Sequence, residues 1–359
     1  MTTTGPTLDP AALAQLAEHA ERAGLLRLGI VRLDHPGFAP AADALDRYLD
    51  EGRQGEMEFI ARTRALRRDP SGMLAGARAL LVAVVPYRGG PGRIARYART
   101  ADYHTVVHDR LELVEAELAR LVPGVETLIC VDTKPILERA AAALAGLGFI
   151  GKHGCVIVPG LGSWVLLGGI LCTAQWVGPD AVESLARTRW DACGTCTRCL
   201  DACPTAAFDG PGQLDPRRCI SYLTIEQRGA IPEPLATAMG DRLAGCDACQ
   251  EVCPYNASPD REERVPAAAW IDPPRFGARH QDPWRLVDIG SATYRAWVKD
   301  TAVRRIPRRS MRRNALVVLG NEPTPWTDAQ RERVAALVDD PDPHVAAAAR
   351  RALARHTID

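Results

Sequence analysis

Hydrophobic positions recur along the first half of the chain with two different periods. Leu13, Leu16, Ala17 and Ala20 mark one face behind Asp9, a capping residue, and Pro10, a proline at a first helical position, and Gly24 closes the segment. This predicts a helix from residue 10 to about 23. The apolar-rich runs LLRLGIVRL (25–33), ALLVAVVPY (79–87) and TLICVD (127–132) predict strands, the last two buried. A short helix is expected over 41–50, and HDRLELVEAELARL (108–121) reads as an amphipathic helix with its leucines on one stripe. Helix and strand alternate, so residues 1–180 are expected to form a layered domain of α/β or α+β type.

Beyond Trp190 the periodicity gives way to short loops studded with Cys, Gly and Pro, as expected where inorganic clusters replace an apolar core. From 266 onward, basic helices are punctuated by prolines. Ser310 is expected to cap a helix ending at Gly320, Asp328 to open another through Val338, and 339–356 to supply one more. Proline-led helices rich in Ala and Arg at this spacing resemble HEAT-type repeats. The chain therefore divides into 1–180, 181–265 and 266–359.

Composition adds limits. The chain has 359 residues, 47% of them hydrophobic, and its 44 basic and 44 acidic residues cancel, so no global field steers it to a polyanion. Any such site must be local. TAVRRIPRRSMRR (301–313) carries six arginines and no acid. Arg304, Arg305, Arg308, Arg309, Arg312 and Arg313 recur in pairs three or four apart, so part of the set shares a face that could meet phosphates; a solvated basic face is the plainer alternative. The N-terminus lacks the basic start and apolar core of a signal peptide, and no run of eighteen apolar residues occurs. A cytoplasmic, monomeric protein without a membrane partner is expected.

Eight of the eleven cysteines fall within 193–253, a bunching that asks for metal rather than disulfides. CGTCTRCLDACP (193–204) has the spacing of two-cluster ferredoxins, in which three cysteines hold one cubane and the fourth crosses to the other. Cys193, Cys196 and Cys199 would hold cluster one, completed by Cys253 of CDACQEVCP. Cys203, Cys246 and Cys249 would hold cluster two. Its fourth ligand is expected to be Cys219, the only other cysteine in the segment. Paired CxxC units also suit structural zinc, but three cysteines at successive threefold spacing and two Cys-Pro endings favour two [4Fe–4S] clusters. Cys130, Cys155 and Cys172 lie in apolar stretches and read as packing residues.

Clusters pass single electrons, so the attached domain should hold the group that does chemistry. Asp132 stands at the end of a predicted buried strand, where desolvation would raise its pKa and make it useful as an acid; a strand-end cap is the alternative. Arg139 lies about two helical turns further on and would face the same pocket if Pro135 opens the helix, or else a solvated face. GLGFIGKHG and PGLGS match neither dinucleotide nor phosphate-loop spacing, and suit backbone approaching something large and flat.

Taken together, VDTKPILERAAAALAGLGFIGKHG, GSWVLLGGILCT, CGTCTRCLDACPTAAF, CISYLTIEQRGAIP and GCDACQEVCPYN resemble the epoxyqueuosine reductase family, and ARYARTADYH (95–104) and MRRNALVVLGN (311–321) are similar to its flanking stretches. The resemblance implies an oxidoreductase that reduces epoxyqueuosine to queuosine at the wobble position of tRNA, with cobalamin and two [4Fe–4S] clusters. It implies a cobalamin-binding α/β domain, a ferredoxin-like module and a HEAT-like C-terminal part, and an external flavodoxin- or ferredoxin-type electron donor. By the same resemblance Asp132 is the proton donor and Arg139 orients substrate. The loop 151–158 with Lys152, His153, Cys155 and Val156, then Gly162, Ser163, Ser221, Cys246 and Asp247, would surround the corrin, with Tyr97, Tyr103 and His104 lining the pocket. Tyr97 and Tyr103 read equally well as core aromatics, and His104 and His153 as loop histidines. No D-x-H-x-x-G motif supplies an axial histidine.

The arginine-rich helices, with Arg93, Arg96 and Arg99 of GRIARYARTADYH, would then meet tRNA. A base in an anticodon loop is already largely unpaired and costs little to extrude. The alternatives are a corrinoid iron–sulfur reductase of another substrate, resembling the reductive dehalogenases, and a plain electron-transfer protein. The Asp132 segment and the third region argue against the latter, since neither is needed to shuttle electrons.

Overall fold

The computed structural model describes residues 5–184, 190–257, 261–271 and 276–356; the first four residues, part of the N-terminal reading, lie outside them. Strands β1 (Arg27–Arg32), β2 (Ala79–Pro86), β3 (Thr127–Cys130) and β4 (Val165–Cys172) form one sheet in the order β1-β2-β4-β3, antiparallel at every pairing. Alternation of helix and strand therefore does not build the parallel sheet of an α/β fold. The arrangement is α+β: every pair of neighbouring strands is antiparallel, although β2 and β3, on either side of β4, run in the same sense.

Helices cover both faces of the sheet. Asp9 caps α1 (Pro10–Arg22) by accepting from Ala12 N–H at 2.8 Å, as the sequence predicts. α2 (Phe38–Asp50) follows β1, and α3 (Tyr103–Leu121) begins five residues ahead of the expected start. Along β2, Leu81, Ala83 and Val85 join one core with Leu16 of α1 and Val107, Leu111, Val114 and Leu118 of α3. The alternate residues Leu80, Val82 and Val84 join a second core with α4 (Glu138–Leu144). Both faces of β2 are thus buried, which explains its unbroken apolar run. β4 escapes strand reading because Gly168 and Gly169 interrupt it. A Cβ at Gly168 would lie 2.6 Å from a Val107 methyl, so the glycine lets α3 lie against the centre of the sheet.

The C-terminal helices are α5 (Arg308–Asn321), α6 (Asp328–Ala335) and α7 (Pro343–Arg355). Ser310 is not the cap of α5; Pro307 is, and Ser310 is buried inside the helix. Thr327 and Gln330 form a capping box at α6, and Asp342 caps α7. Met311, Ala315, Leu316 and Leu319 of α5 share a core with Ile220, Ala236, Met239 and Leu243 of the cysteine-rich segment. Residues 265–271 instead pack on the sheet, Ile271 on one face and Val265, Ala269 and Trp270 on the other. No helix among the described residues is long and apolar enough to cross a membrane.

Candidate cluster sites and acid–base centre

Two one-turn helices, Arg198–Asp201 and Ala248–Glu251, pack together and bring the cysteine runs into register. Cys193, Cys196, Cys199 and Cys253 line one cavity. In the second set Cys219 interacts with Cys203, Cys246 with Cys219, and Cys249 with both Cys246 and Cys219. The crossing pattern read from spacing is therefore the spatial one. Burial pushes the Cys199 and Cys246 thiols up to about 11, which disfavours bare thiolates at those two positions, and each set of four suits an iron–sulfur cubane. Cys155 is a ninth thiol near both sets, interacting with Cys219, Cys249 and Cys253 and pushed by burial up to about 11. Cys130 and Cys172 sit in the two sheet cores.

The acid–base centre forms where α3 starts beside the end of β3. Strand pairing stops at Cys130, and Asp132 follows with φ of +47°, a left-handed conformation rare outside glycine. Glu138 stabilises this turn, its Oε1 accepting from Asp132 N–H at 3.0 Å. Asp132 Oδ2 accepts from the Tyr103 hydroxyl at 2.8 Å and lies 3.1 Å from His104 Nε2. Asp102, the cap of α3, lies 2.7 Å from His104 Nδ1. The imidazole is thus bracketed by two carboxylates and stacks on Tyr103 with centroids 4.0 Å apart.

This geometry reverses the protonation expected for Asp132. Burial works to raise its pKa, but hydrogen bonds from His104 and Tyr103 prevail and hold the carboxyl below the usual range. Burial likewise opposes charge on His104, yet its bonds to Asp102 and Asp132 push it up to about 9. At neutral pH the proton rests on His104. Glu138, half-buried beside Asp132, is pushed up by desolvation to about 7. The sequence does not reveal Asp102 and Glu138; Asp102 carries a signal as a helix cap, whereas nothing in the local pattern marks Glu138 as a desolvated carboxylate.

Arg139 and the residues expected around a corrin make the following contacts within the chain. α4 opens at Glu138 and not at Pro135, and Arg139 Nη1 donates to Gly154 O at 2.6 Å with no bond to Asp132. Lys152 Nζ donates to Gly194 O at 2.6 Å and Cys196 O at 2.9 Å, so it fixes the loop of the first cysteine set. His153 lines that same cavity, and burial pushes it down to about 4. Val156 is buried in the second sheet core. Ser163 is buried too; its N–H donates to Asn256 Oδ1 at 2.6 Å and its hydroxyl to Gln250 Oε1 at 2.9 Å. A Cβ at Gly162, where φ is +74°, would lie 2.1 Å from that Asn256 oxygen, so only glycine lets the sheet loop dock on the cysteine-rich segment. Tyr97 packs edge-on to Tyr103, and Ser221 is half-buried one residue past the start of the helix Ile220–Ile225. A pocket of about 320 Å³ opens beside Cys246 and Asp247 between residues 91–95 and 241–251, rimmed by Arg93, Arg242, Asp241 and Glu251.

The basic run 301–313 divides by burial. Arg312 and Arg313 are 7% and 1% exposed and face inward, contrary to the expected phosphate-binding role. Arg312 pairs with Asp340 at 2.7 Å, and Arg313 donates to Leu223 O, Gln227 O and Gly229 O. Their charge is consumed because α5 runs through the core and its polar groups must find partners there. Arg308 is half-buried and donates to Ile289 O, leaving Arg304, Arg305 and Arg309 exposed. Arg305 pairs with Glu226 and its charge reaches Asp132. Arg93, Arg96 and Arg99 are engaged by Glu322, Glu251 and Gly90 O respectively.

Comparisons with known proteins agree with this arrangement. A family model described as "4Fe-4S double cluster binding domain" matches residues 192–256, and one described as "Epoxyqueuosine reductase QueG, DUF1730" matches 67–133. An epoxyqueuosine reductase of Gloeobacter violaceus is 37% identical over 325 residues, covering 86% of this chain and 95% of the relative. A crystal structure of epoxyqueuosine reductase with an epoxyqueuosine-modified tRNA-Tyr stem loop superposes with a TM-score of 0.79 at 27% identity, covering 95% of this chain and 89% of that one. The Streptococcus thermophilus enzyme shares the fold, with a TM-score of 0.80 at 24% identity over 96% of this chain and 91% of that one. On this similarity in sequence, the chain belongs to the epoxyqueuosine reductase family of oxidoreductases.

Proposed function

We propose that this chain reduces epoxyqueuosine to queuosine at the wobble position of tRNA, drawing electrons through two [4Fe–4S] clusters and using cobalamin bound between the sheet domain, 1–180, and the cysteine-rich module, 181–265. Family membership supports the reaction, and a related enzyme has been crystallised with an epoxyqueuosine-modified tRNA stem loop. The observation that carries the reading is the grip of Tyr103 and His104 on Asp132. The polar pocket beside Cys246 and Asp247 fits one edge of a corrin, whose amide fringe needs both donors and acceptors. Cys246, Asp247, Ser221, Tyr97 and the docked loop at Gly162 and Ser163 would hold it. When bound, cobalamin supplies a strongly reducing cobalt centre.

Opening the epoxide to an alkene takes up two electrons and two protons: two C–O bonds break, a carbon–carbon double bond forms, and the oxygen leaves as water. The protein's part is to deliver a proton as that oxygen gains charge. Asp132 reaches outward with 51% of its side chain exposed, while His104 behind it holds the proton. Asp132 passes that proton to the oxygen and is replenished from His104 Nε2; Asp102 orients the imidazole, and Tyr103 keeps the carboxylate in line. Such general acid help is worth roughly 10²–10⁴-fold. Arg305 stands on the approach to Asp132, and with Arg304 and Arg309 would meet phosphates of the anticodon arm; the helices of 266–359 would act as a HEAT-like platform. An electron donor of flavodoxin or ferredoxin type would feed cluster one.

Anaerobically loaded Asp132→Ala should keep its iron and corrinoid yet lose turnover of an epoxyqueuosine stem loop. Turnover at the wild-type rate would remove Asp132 from the mechanism, and no turnover by the loaded wild type would remove the function itself.

A further inference from the structure

The segment Gly151 to Cys155 closes on itself, with Gly151 N–H donating to Cys155 O at 2.9 Å and Gly154 N–H to Gly151 O at 2.8 Å. Inside this turn Cys155 N–H donates to His153 Nδ1 at 3.1 Å. A ring nitrogen that accepts a hydrogen bond carries no proton, so the backbone fixes a neutral imidazole with its hydrogen on Nε2. That Nε2 is buried, in a residue 5% exposed, and has no hydrogen-bond partner among the described residues. Buried donors are ordinarily satisfied, and an orphan asks for an acceptor that the protein itself does not supply.

The ring lines the cavity formed by Cys193, Cys196, Cys199 and Cys253. The preceding residue points to the same place: Lys152 fastens the Cys193–Cys196 loop through Gly194 O and Cys196 O. One short turn thus braces the cluster loop with Lys152 and presents a preset N–H donor with His153.

We propose that His153 donates an Nε2–H hydrogen bond to a sulfur of cluster one, either a bridging sulfide or a cysteine thiolate, and so raises the reduction potential of that cluster. This rests on the cluster reading above. Reduction adds one electron, hence one negative charge, to a sulfur-rich core in a buried site; a fixed donor stabilises the more negative state, and the proton stays on nitrogen throughout. His153 is therefore a positioning residue for electron entry, with no part in the proton chemistry at Asp132.

The test compares the full chain and His153→Phe after anaerobic reconstitution. About eight irons with matching sulfide per chain checks the cluster reading by itself; zinc in place of iron overturns that reading and this inference with it. In an EPR-monitored redox titration, the reduced-to-oxidised ratio of one cluster at a fixed potential should fall about tenfold in the variant, equal to about 59 mV for a one-electron couple, while the other cluster is unmoved. An unchanged potential with both clusters present overturns the inference. If the variant loses cluster one, pulsed EPR of reduced wild type carrying nitrogen-15 histidine decides. A weak nitrogen coupling supports a hydrogen bond. No coupling, or the strong coupling of direct ligation, overturns it.

Discussion

Replacing His104 with phenylalanine keeps a ring stacked on Tyr103 and removes both bonds to Asp102 and Asp132. Burial opposes charge on His104, yet those bonds raise it from 6.5 to about 9, equal to about 3 kcal/mol at about 1.4 kcal/mol per pH unit. The side chain is 31% exposed, and solvent screening trims this to about 2 kcal/mol. Because the folded-state pKa is the higher one, the stabilisation is complete below about pH 6.5 and is lost as pH climbs through about 9. Loaded wild type and His104→Phe would be melted anaerobically from about pH 6 to 10. At roughly 2 °C per kcal/mol for a chain of this size, wild type should melt about 4 °C above the variant at the acid end, and the pH-dependent part of the gap should close at the alkaline end. Glu138, which burial pushes up to about 7, titrates in both proteins and cancels to first order. In the wild type Asp102 and Asp132 are held below the usual carboxylate range, in large part by His104; in the variant the backbone N–H of residue 104 still donates to Asp102 and the Tyr103 hydroxyl to Asp132, both of which favour the ionised form. A gap that stays constant or widens as pH rises would refute an imidazolium held between two carboxylates. Wild-type turnover should fall over the same alkaline range, since deprotonating His104 empties the store behind Asp132.

Other substitutions separate the remaining assignments. Cys219→Ala should lower the iron content from about eight atoms to about four, and retention of both clusters would undo the ligand partition. Arg313→Met leaves the carbonyls of Leu223, Gln227 and Gly229 without their donor and should cost roughly 3 kcal/mol or more, seen as a lower Tm. Arg309→Ala, on the exposed side of the same helix, should leave Tm alone but weaken stem-loop binding and flatten its salt dependence by about one ion; an unchanged salt slope would take that face out of the RNA site.

The legible parts of the sequence were those in which one residue type serves one purpose. Cysteine spacing points to a double-cluster module, because a ferredoxin loop has few ways to present sulfur, and the structure lines one cavity with Cys193, Cys196, Cys199 and Cys253. The Asp9–Pro10 start of α1 and the buried run of β2 followed from local rules. Asp132 was identifiable, but its protonation was not: desolvation can be inferred from a strand end, whereas the opposing bonds come from Tyr103 and His104, twenty-nine and twenty-eight positions away. Glycines hid β4, since a pair that admits α3 to the sheet also breaks strand periodicity. The arginine run failed in a similar way. A charge-rich helix reads as surface until the partners that neutralise it, here backbone carbonyls of another segment, are known.

Those buried polar groups tie the C-terminal helices to the cysteine-rich segment. Asn314 Nδ2 donates to Thr224 O at 2.9 Å and to Leu243 O at 2.8 Å, joining the helix that follows Cys219 to the loop that leads into Cys246. Thr224 Oγ1 then accepts from Gly245 N–H at 2.9 Å, one residue before Cys246. Arg313 adds its bond to Leu223 O from the same turn of α5. Two cysteines twenty-seven positions apart are thereby held by one helix, so the proposed ligand set of cluster two would gain a scaffold outside its own loops. Arg313, which a charge count would send outward to RNA, and the neutral Asn314 beside it would thus fix the spacing of Cys219 and Cys246. Truncating the chain ahead of α5 should therefore cost iron as well as RNA affinity.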